Sequence, residues 1–254
     1  MIIILYVFIG LAWALAYYLL EKDKGEREPT SALWAAFGFG VLSLIPTGIF
    51  EFLLVPTEAL DDTVTASTGV TLYSAAMIGV IEEVCKFLPL AFFIYKKRYF
   101  NEHTDGIIYF ALAGLGFGLP ENIMYTLQYG GEAFARIFMT PFFHSATTAL
   151  VGYALVRAKL HKTSLWYVVV AMLAAIAIHG MYDFGLMSGI PMLVLGSLGL
   201  TGAMSVYIFV IGVHAKKVDQ KHGLSVVGIN AFCRSCGYPN PKRYLYCSHC
   251  GKHA

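Results

Sequence analysis

Seven side chains set in long apolar runs carry the chemistry this sequence offers. Glu82, Glu83 and Lys86 lie in one run, Glu121 beside Asn122 in the next, His144 in a third, and His179 with Asp183 in a fourth. A charged group in hydrocarbon costs about 2.5–3.5 kcal/mol on insertion scales, so ionisable residues at these positions are functional candidates. Glu82 and Lys86 are i and i+4, Glu83 and Lys86 are i and i+3, and His179 and Asp183 are i and i+4, so each set shares one helix face. Two carboxylates in a poorly hydrated site repel each other and lose solvation, which makes one of them a usable general base for activating water in a hydrolysis. Lys86 would keep the other ionised or stabilise developing negative charge. Two roles are open to Glu121, His144 and His179: acid and oxyanion-binding groups, or the two-His, one-carboxylate set of a catalytic zinc ion with one position left for water. Asp183 is placed to orient His179. Spacing leaves open which of Glu82 and Glu83 is the base, since adjacent helix positions are about 100° apart.

A second constellation lies near the C-terminus. Four of the five cysteines form two C-x2-C hooks, Cys233–Cys236 and Cys247–Cys250, each followed by a glycine, Gly237 and Gly251. Hooks this close make a tetrahedral four-thiolate zinc site, iron and two disulfides being the looser readings. Roughly 20 residues cannot fold on an apolar core alone, so the metal would supply folding free energy. His249, between two ligands, reads as a solvated neighbour, and Cys85 stands alone in an apolar run. A ribbon of this kind suits docking of a cytoplasmic protein; nucleic acid is not an expected partner.

The elements that must position these groups are membrane helices. The 254 residues are 57% hydrophobic and only 13% charged, against about 25% charged in a soluble domain. Seven stretches are long enough to span a bilayer: 1–20, 33–55, 70–95, 106–128, 133–156, 165–187 and 191–213. The first is read as a retained helix, because its charged cluster (Glu21 to Lys24) follows the apolar run. Segments 21–32, 96–105 and 157–164 each hold three Lys or Arg, and the tail opens with Lys216 and Lys217, whereas segments 56–69, 129–132 and 188–190 hold none. The positive-inside rule then sets an outside N-terminus and a cytoplasmic C-terminus in a multi-pass protein of the cell membrane. The expected organisation is an all-α polytopic bundle over 1–213, a linker over 214–230 and a zinc ribbon over 231–254.

At a rise of about 1.5 Å per residue, Glu82, Glu121, His144 and His179 fall roughly 10–20 Å below the outer surface, in reach of one outward-opening cavity. Gly114 and Gly118 form a G-x-x-x-G that admits a neighbouring helix, and Pro120 bends the helix just before Glu121. Glu51 and Arg136, near outer span ends, read as interfacial. The rival function is a proton-coupled transporter or channel, which also uses buried Glu, Asp, His and Lys; no internal repeat or pair of matching broken helices favours it. A scaffold that recruits partners through the ribbon is a third reading.

Ile81-Glu82-Glu83-Val84-Cys85-Lys86 resembles the E-E-x-x-K motif of the PrsW family of intramembrane proteases, distant relatives of the CAAX prenyl proteases. Phe117 to Glu121 is similar to its F-x-x-x-E motif, Phe143-His144-Ser145 to its single-histidine motif, and His179 to Asp183 to H-x-x-x-D. The motifs occur in order, each on its own span, within residues 30–213. The resemblance implies a protease that cuts membrane-anchored proteins, with Glu82 and Glu83 as the catalytic pair. It further implies release of an anti-sigma factor from outside the membrane. The ribbon lies outside the resemblance.

Overall fold

The computed structural model describes residues 28–59, 66–129, 136–221 and, in the tail, 231–233, 235–236, 239–240, 246–247 and 249–252. Six long helices make up nearly all of it: α1 (Thr30–Leu54), α2 (Thr68–Ile94), α3 (His103–Tyr129), α4 (Arg136–His161), α5 (Trp166–Met187) and α6 (Pro191–Lys221). Strands β1 (Ala231–Phe232) and β2 (Pro239–Asn240) pair antiparallel in the tail, Ala231 opposite Asn240. The expected first span, 1–20, lies outside the described residues, as do 60–65, 130–135 and the linker residues 222–230. Helix α6 runs on to Lys221, past the expected end at 213.

Among the described residues four helices are long and apolar enough to cross a membrane: α1, α3, α5 and α6. Helices α2 and α4 are as long, 27 and 26 residues, but stand outside that set. Glu82, Glu83 and Lys86 interrupt the apolar run of α2, and α4 carries Thr140, His144, Ser145, Thr147 and Thr148. The residue types that offer chemistry are those that lower hydropathy. Among the described residues the charged side chains of the spans lie inside, beside an apolar core, and many large apolar side chains face out. Phe52 and Phe92 are 80% and 81% exposed, while Glu83, Lys86, His144 and His179 are at most 1% exposed. That is the distribution of a bundle whose outer face meets lipid.

Helix α3 sits at the centre. Every residue from Glu102 to Gly118 is buried, and α3 packs most extensively on α4, then on α1, with α6 also in contact. Helix α2 packs on α5 and α1. The start of α3 is tied down by carboxylates that satisfy its first-turn donors. The N–H groups of His103 and Thr104 donate to Asp219 of α6 at 2.8 and 2.9 Å, and those of Asn101 and Glu102 donate to Asp105. Lys159 Nζ donates to the carbonyls of Lys97 and Phe100, both at 2.8 Å. The turns after α2 and α4 and the end of α6 therefore share one end of the bundle.

In the tail, the four thiols of Cys233, Cys236, Cys247 and Cys250 lie within 4.8 Å of one another. Cys233 Sγ is 3.7 Å from Cys250 Sγ, and Cys236 Sγ is 3.5 Å from Cys247 Sγ. Neighbouring sulfurs of a tetrahedral zinc site are about 3.8 Å apart, so the four fit that ion. Against desolvation, the N–H groups of Ser235 and Cys236 bring the Cys233 thiol down to about 7, toward the thiolate a metal needs. Gly251, at φ +68°, takes the left-handed turn after the second hook; Gly237 lies outside the described residues.

Candidate active site

Four helices bring the polar side chains together, and small residues set how closely. Helix α2 crosses α5 at Gly79 and Gly180: a Cβ on Gly79 would stand 3.0 Å from Gly180 N and from Ile176 O. One turn on from Gly79 is Glu83, and next to Gly180 is His179. The G-x-x-x-G of α3 does the same for α4. A Cβ on Gly114 would lie 2.2 Å from the His144 carbonyl oxygen, and one on Gly118 would lie 2.7 Å from His144 Cδ2. This stripe is thus a seat for His144 as well as a packing surface. Past Pro120, Asn122 Nδ2 donates to the Gly118 carbonyl at 2.6 Å.

Lys86 is the hub. Its Nζ is 2.9 Å from Glu82 Oε2, 3.1 Å from Glu83 Oε1 and 2.9 Å from His144 Nδ1, and it lies 4.1 Å above the centre of the Phe117 ring. An ammonium only donates, so His144 Nδ1 accepts and the proton of a neutral ring sits on Nε2. That Nε2 stands 2.7 Å from Glu121 Oε2.

The two adjacent glutamates do different things. Glu83 Oε1 accepts from Lys86, from Thr147 Oγ1 at 3.0 Å and from His179 Nδ1 at 2.7 Å. The other ring nitrogen of His179, Nε2, faces Glu82 Oε2 at 3.5 Å and Asp183 Oδ2 at 3.4 Å. Glu83 thus holds His179 Nδ1, while Asp183, expected to orient His179, stands on the other ring nitrogen.

The donors that converge as a metal-binding group are Glu82, His144 and His179, each buried, with one ligand atom apiece within 4.8 Å of the others. The carboxylate of that group is Glu82; Glu121, expected in it, stands instead against the far nitrogen of His144. Glu82 Oε2 is 3.5 Å from His179 Nε2 and 3.9 Å from His144 Nδ1. Donors on a tetrahedral zinc ion are about 3.3 Å apart, so two imidazoles and a carboxylate at this spacing fit a divalent ion, for which His144 Nδ1 would exchange its Lys86 hydrogen bond.

Three contributors were not among the expected site residues. Thr147 is one turn past His144 on the same face, a spacing that could have revealed it. Phe117 heads the F-x-x-x-E motif and floors the Lys86 ammonium. Glu51 of α1, read from sequence as interfacial, lies within the electrostatic reach of Glu82, Glu121, Asp183 and Lys86. Thr47 and Val55, one turn before and after it, are buried, and Val55 clusters with Ile81 and Cys85 of α2. The side chain of Arg136 lies outside the described residues.

A family profile described as PrsW family intramembrane metalloprotease matches residues 28–214. The chain is 33% identical over 177 residues to a protein named Protease PrsW from Geobacillus kaustophilus (strain HTA426), covering 69% of this chain and 76% of that one. It is 29% identical over 174 residues to the Protease PrsW of Bacillus subtilis (strain 168), covering 67% and 77%, and 28% identical over 192 residues to that of Clostridioides difficile (strain 630), covering 71% and 76%. No solved structure matches. Nothing in these likenesses supports the transporter reading.

Proposed function

This chain belongs to the PrsW family of intramembrane metalloproteases, a membrane protease, and we propose that Glu82 is the residue on which its peptide-bond hydrolysis turns. The observation that carries this is the division of labour between the adjacent carboxylates. Glu83 Oε1 already accepts three hydrogen bonds, whereas Glu82 Oε2 borders the space shared with His179 Nε2 and His144 Nδ1. Water in that space gives its proton to Glu82 as its oxygen attacks the scissile carbonyl, and Glu82 returns the proton to the leaving amide nitrogen. Lys86 holds Glu82 ionised until then. Glu83 fixes the His179 tautomer, Glu121 holds the far side of His144, and Asp183 borders the same space. Glu82, His144 and His179 would hold the divalent ion, which when bound polarises water and carbonyl.

The finer organisation follows the same reading. Seven spans, the first over 1–20, put the N-terminus outside and the C-terminus in the cytoplasm, and the bundle (1–213), linker (214–230) and zinc ribbon (231–254) are successive units. The shared end of the turns after α2 and α4 and of α6 supports one cytoplasmic side rich in Lys and Arg. Glu121, His144 and His179 each lie eight residues from the opposite helix end, about 12 Å, which supports a site opening outward. Its substrate class is membrane-anchored proteins cut near their outer end, an anti-sigma factor among them, with the ribbon docking a cytoplasmic protein.

The test is cleavage in liposomes by Glu82→Gln and Glu83→Gln protein, read by sequencing new N-termini. Loss of a general base lowers the rate by about 10²–10⁴-fold, and loss of a group that orients a histidine by about 10–100-fold. Glu82→Gln is expected to be the more damaged of the two. Equal damage, or activity retained in Glu82→Gln, would remove Glu82 from the central role.

A further inference from the structure

Well away from these groups, α4, α5 and α6 enclose a second cavity of about 510 Å³. Its floor includes Leu150 and Ala154, and Arg157, His161, Ile211 and the phenols of Tyr153, Tyr167 and Tyr207 also line it. Arg157 is 13 residues beyond His144 on α4, about 20 Å along the axis, so this cavity is separate from the hydrolytic site. It lies at the bundle end that carries the turns after α2 and α4. No carboxylate lines it. The Arg157 guanidinium sits over the Tyr153 ring, 5.7 Å from its centre, and makes no ion pair among the described residues.

Arg157 and His161 are exposed, but His161 is anchored across helices. His161 Nε2 is 2.9 Å from His103 Nε2, and His103 Nδ1 is 2.7 Å from Asp219 Oδ1. Asp219 is fully buried and caps α3. His161 is thus held at the cavity by a chain of side chains across three helices. The mouth faces the apolar outside of the bundle: Tyr167 lines it and is 64% exposed, beside Trp166 at 62% and Val170 at 47%.

We propose that this cavity binds the phosphate headgroup of an anionic membrane lipid, with Arg157 and His161 on the phosphate, the tyrosine hydroxyls on its oxygens and the start of an acyl chain on the floor. A guanidinium that makes no ion pair, in a cavity whose lining holds no carboxylate, selects an anion. The apolar floor and the mouth on the lipid-facing side select one that carries hydrocarbon, and tyrosines are the residues of the headgroup layer. A free phosphate ion shares the first chemistry but not the second.

The test uses the full chain in detergent, given vesicles of phosphatidylcholine with or without phosphatidylglycerol, or inorganic phosphate alone, with bound lipid read by native mass spectrometry. Wild type should retain phosphatidylglycerol at least about tenfold over phosphatidylcholine. Arg157→Ala should abolish that preference, Arg157→Lys should recover part of it, and Lys162→Ala, a nearby surface charge, should cost no more than roughly fivefold. Ala171→Phe, which fills the cavity without touching its charge, should also abolish it, and serves if Arg157→Ala does not fold. Equal retention in wild type and both cavity variants would overturn the site. So would a Lys162→Ala loss as large as that of Arg157→Ala, or thermal stabilisation by inorganic phosphate with no lipid preference.

Discussion

Lys86 is fully buried and all three of its N–H groups face acceptors, two of them on carboxylates. Removing a buried charge leaves its partners uncompensated, at about 3–5 kcal/mol. Lys86→Met is therefore expected to lower the stability of the bundle by that order, and Lys86→Met with Glu83→Gln should recover much of the loss while staying inactive. Unfolding of the four proteins in mixed micelles completes the double-mutant cycle; additive losses would mean that Lys86 and Glu83 do not share one network. At this scale the sequence was informative about which residues meet, because i, i+3 and i+4 spacing is geometry. It was silent on how adjacent carboxylates divide their work, which depends on Thr147 and His179 reaching Glu83 from other helices. For the same reason spacing alone did not show that Glu82 converges with His144 and His179, or that Glu83 reaches His179 Nδ1.

The crossing of α3 and α4 depends on atoms that are missing. At Gly114 a Cβ would meet the His144 backbone, which cannot swing aside as a side chain can. Gly114→Ala must push the helices apart, costing about 1–3 kcal/mol of overpacking and moving His144 off Lys86. Gly38 of α1 has nothing within 4 Å of its Cβ position, so Gly38→Ala should gain the helix propensity of alanine and leave cleavage untouched. Activity and melting temperature of the pair check this; an equally tolerant Gly114 would show that His144 is seated by something else. The helices themselves were readable from apolar length: six long ones lie among the described residues, four of them apolar enough to cross a membrane. What composition could not separate is a lipid-facing helix from one enclosed by protein. Helix α3 is apolar like α1, yet it is the buried centre, since its glycines and aromatic residues fit neighbours that only the assembled bundle supplies.

Among the described residues two groups fit a metal, and they stand on separate parts of the molecule. The thiols of the ribbon fit a structural ion, and the ribbon touches the bundle where Arg98 lies 4.9 Å from the centre of the Tyr246 ring. Glu82, His144 and His179 lie inside the bundle, and Glu82 is more than ten residues back along α2 from that turn. A chelator strips both, so loss of activity on chelation does not say which ion matters. Cys236→Ser with Cys250→Ser separates them. A ribbon this small owes its folding free energy to the metal, so the double variant should hold about one fewer zinc per chain and expose residues 231–252 to added protease. The bundle, packed on its own apolar core around α3, should keep its helix content and its cleavage rate, and that cleavage should still be lost on chelation. If the double variant is instead as inactive as Glu82→Gln, the ribbon acts through the turn after α2 on Lys86 and its carboxylates. Residues 1–213 would then not be a protease on their own.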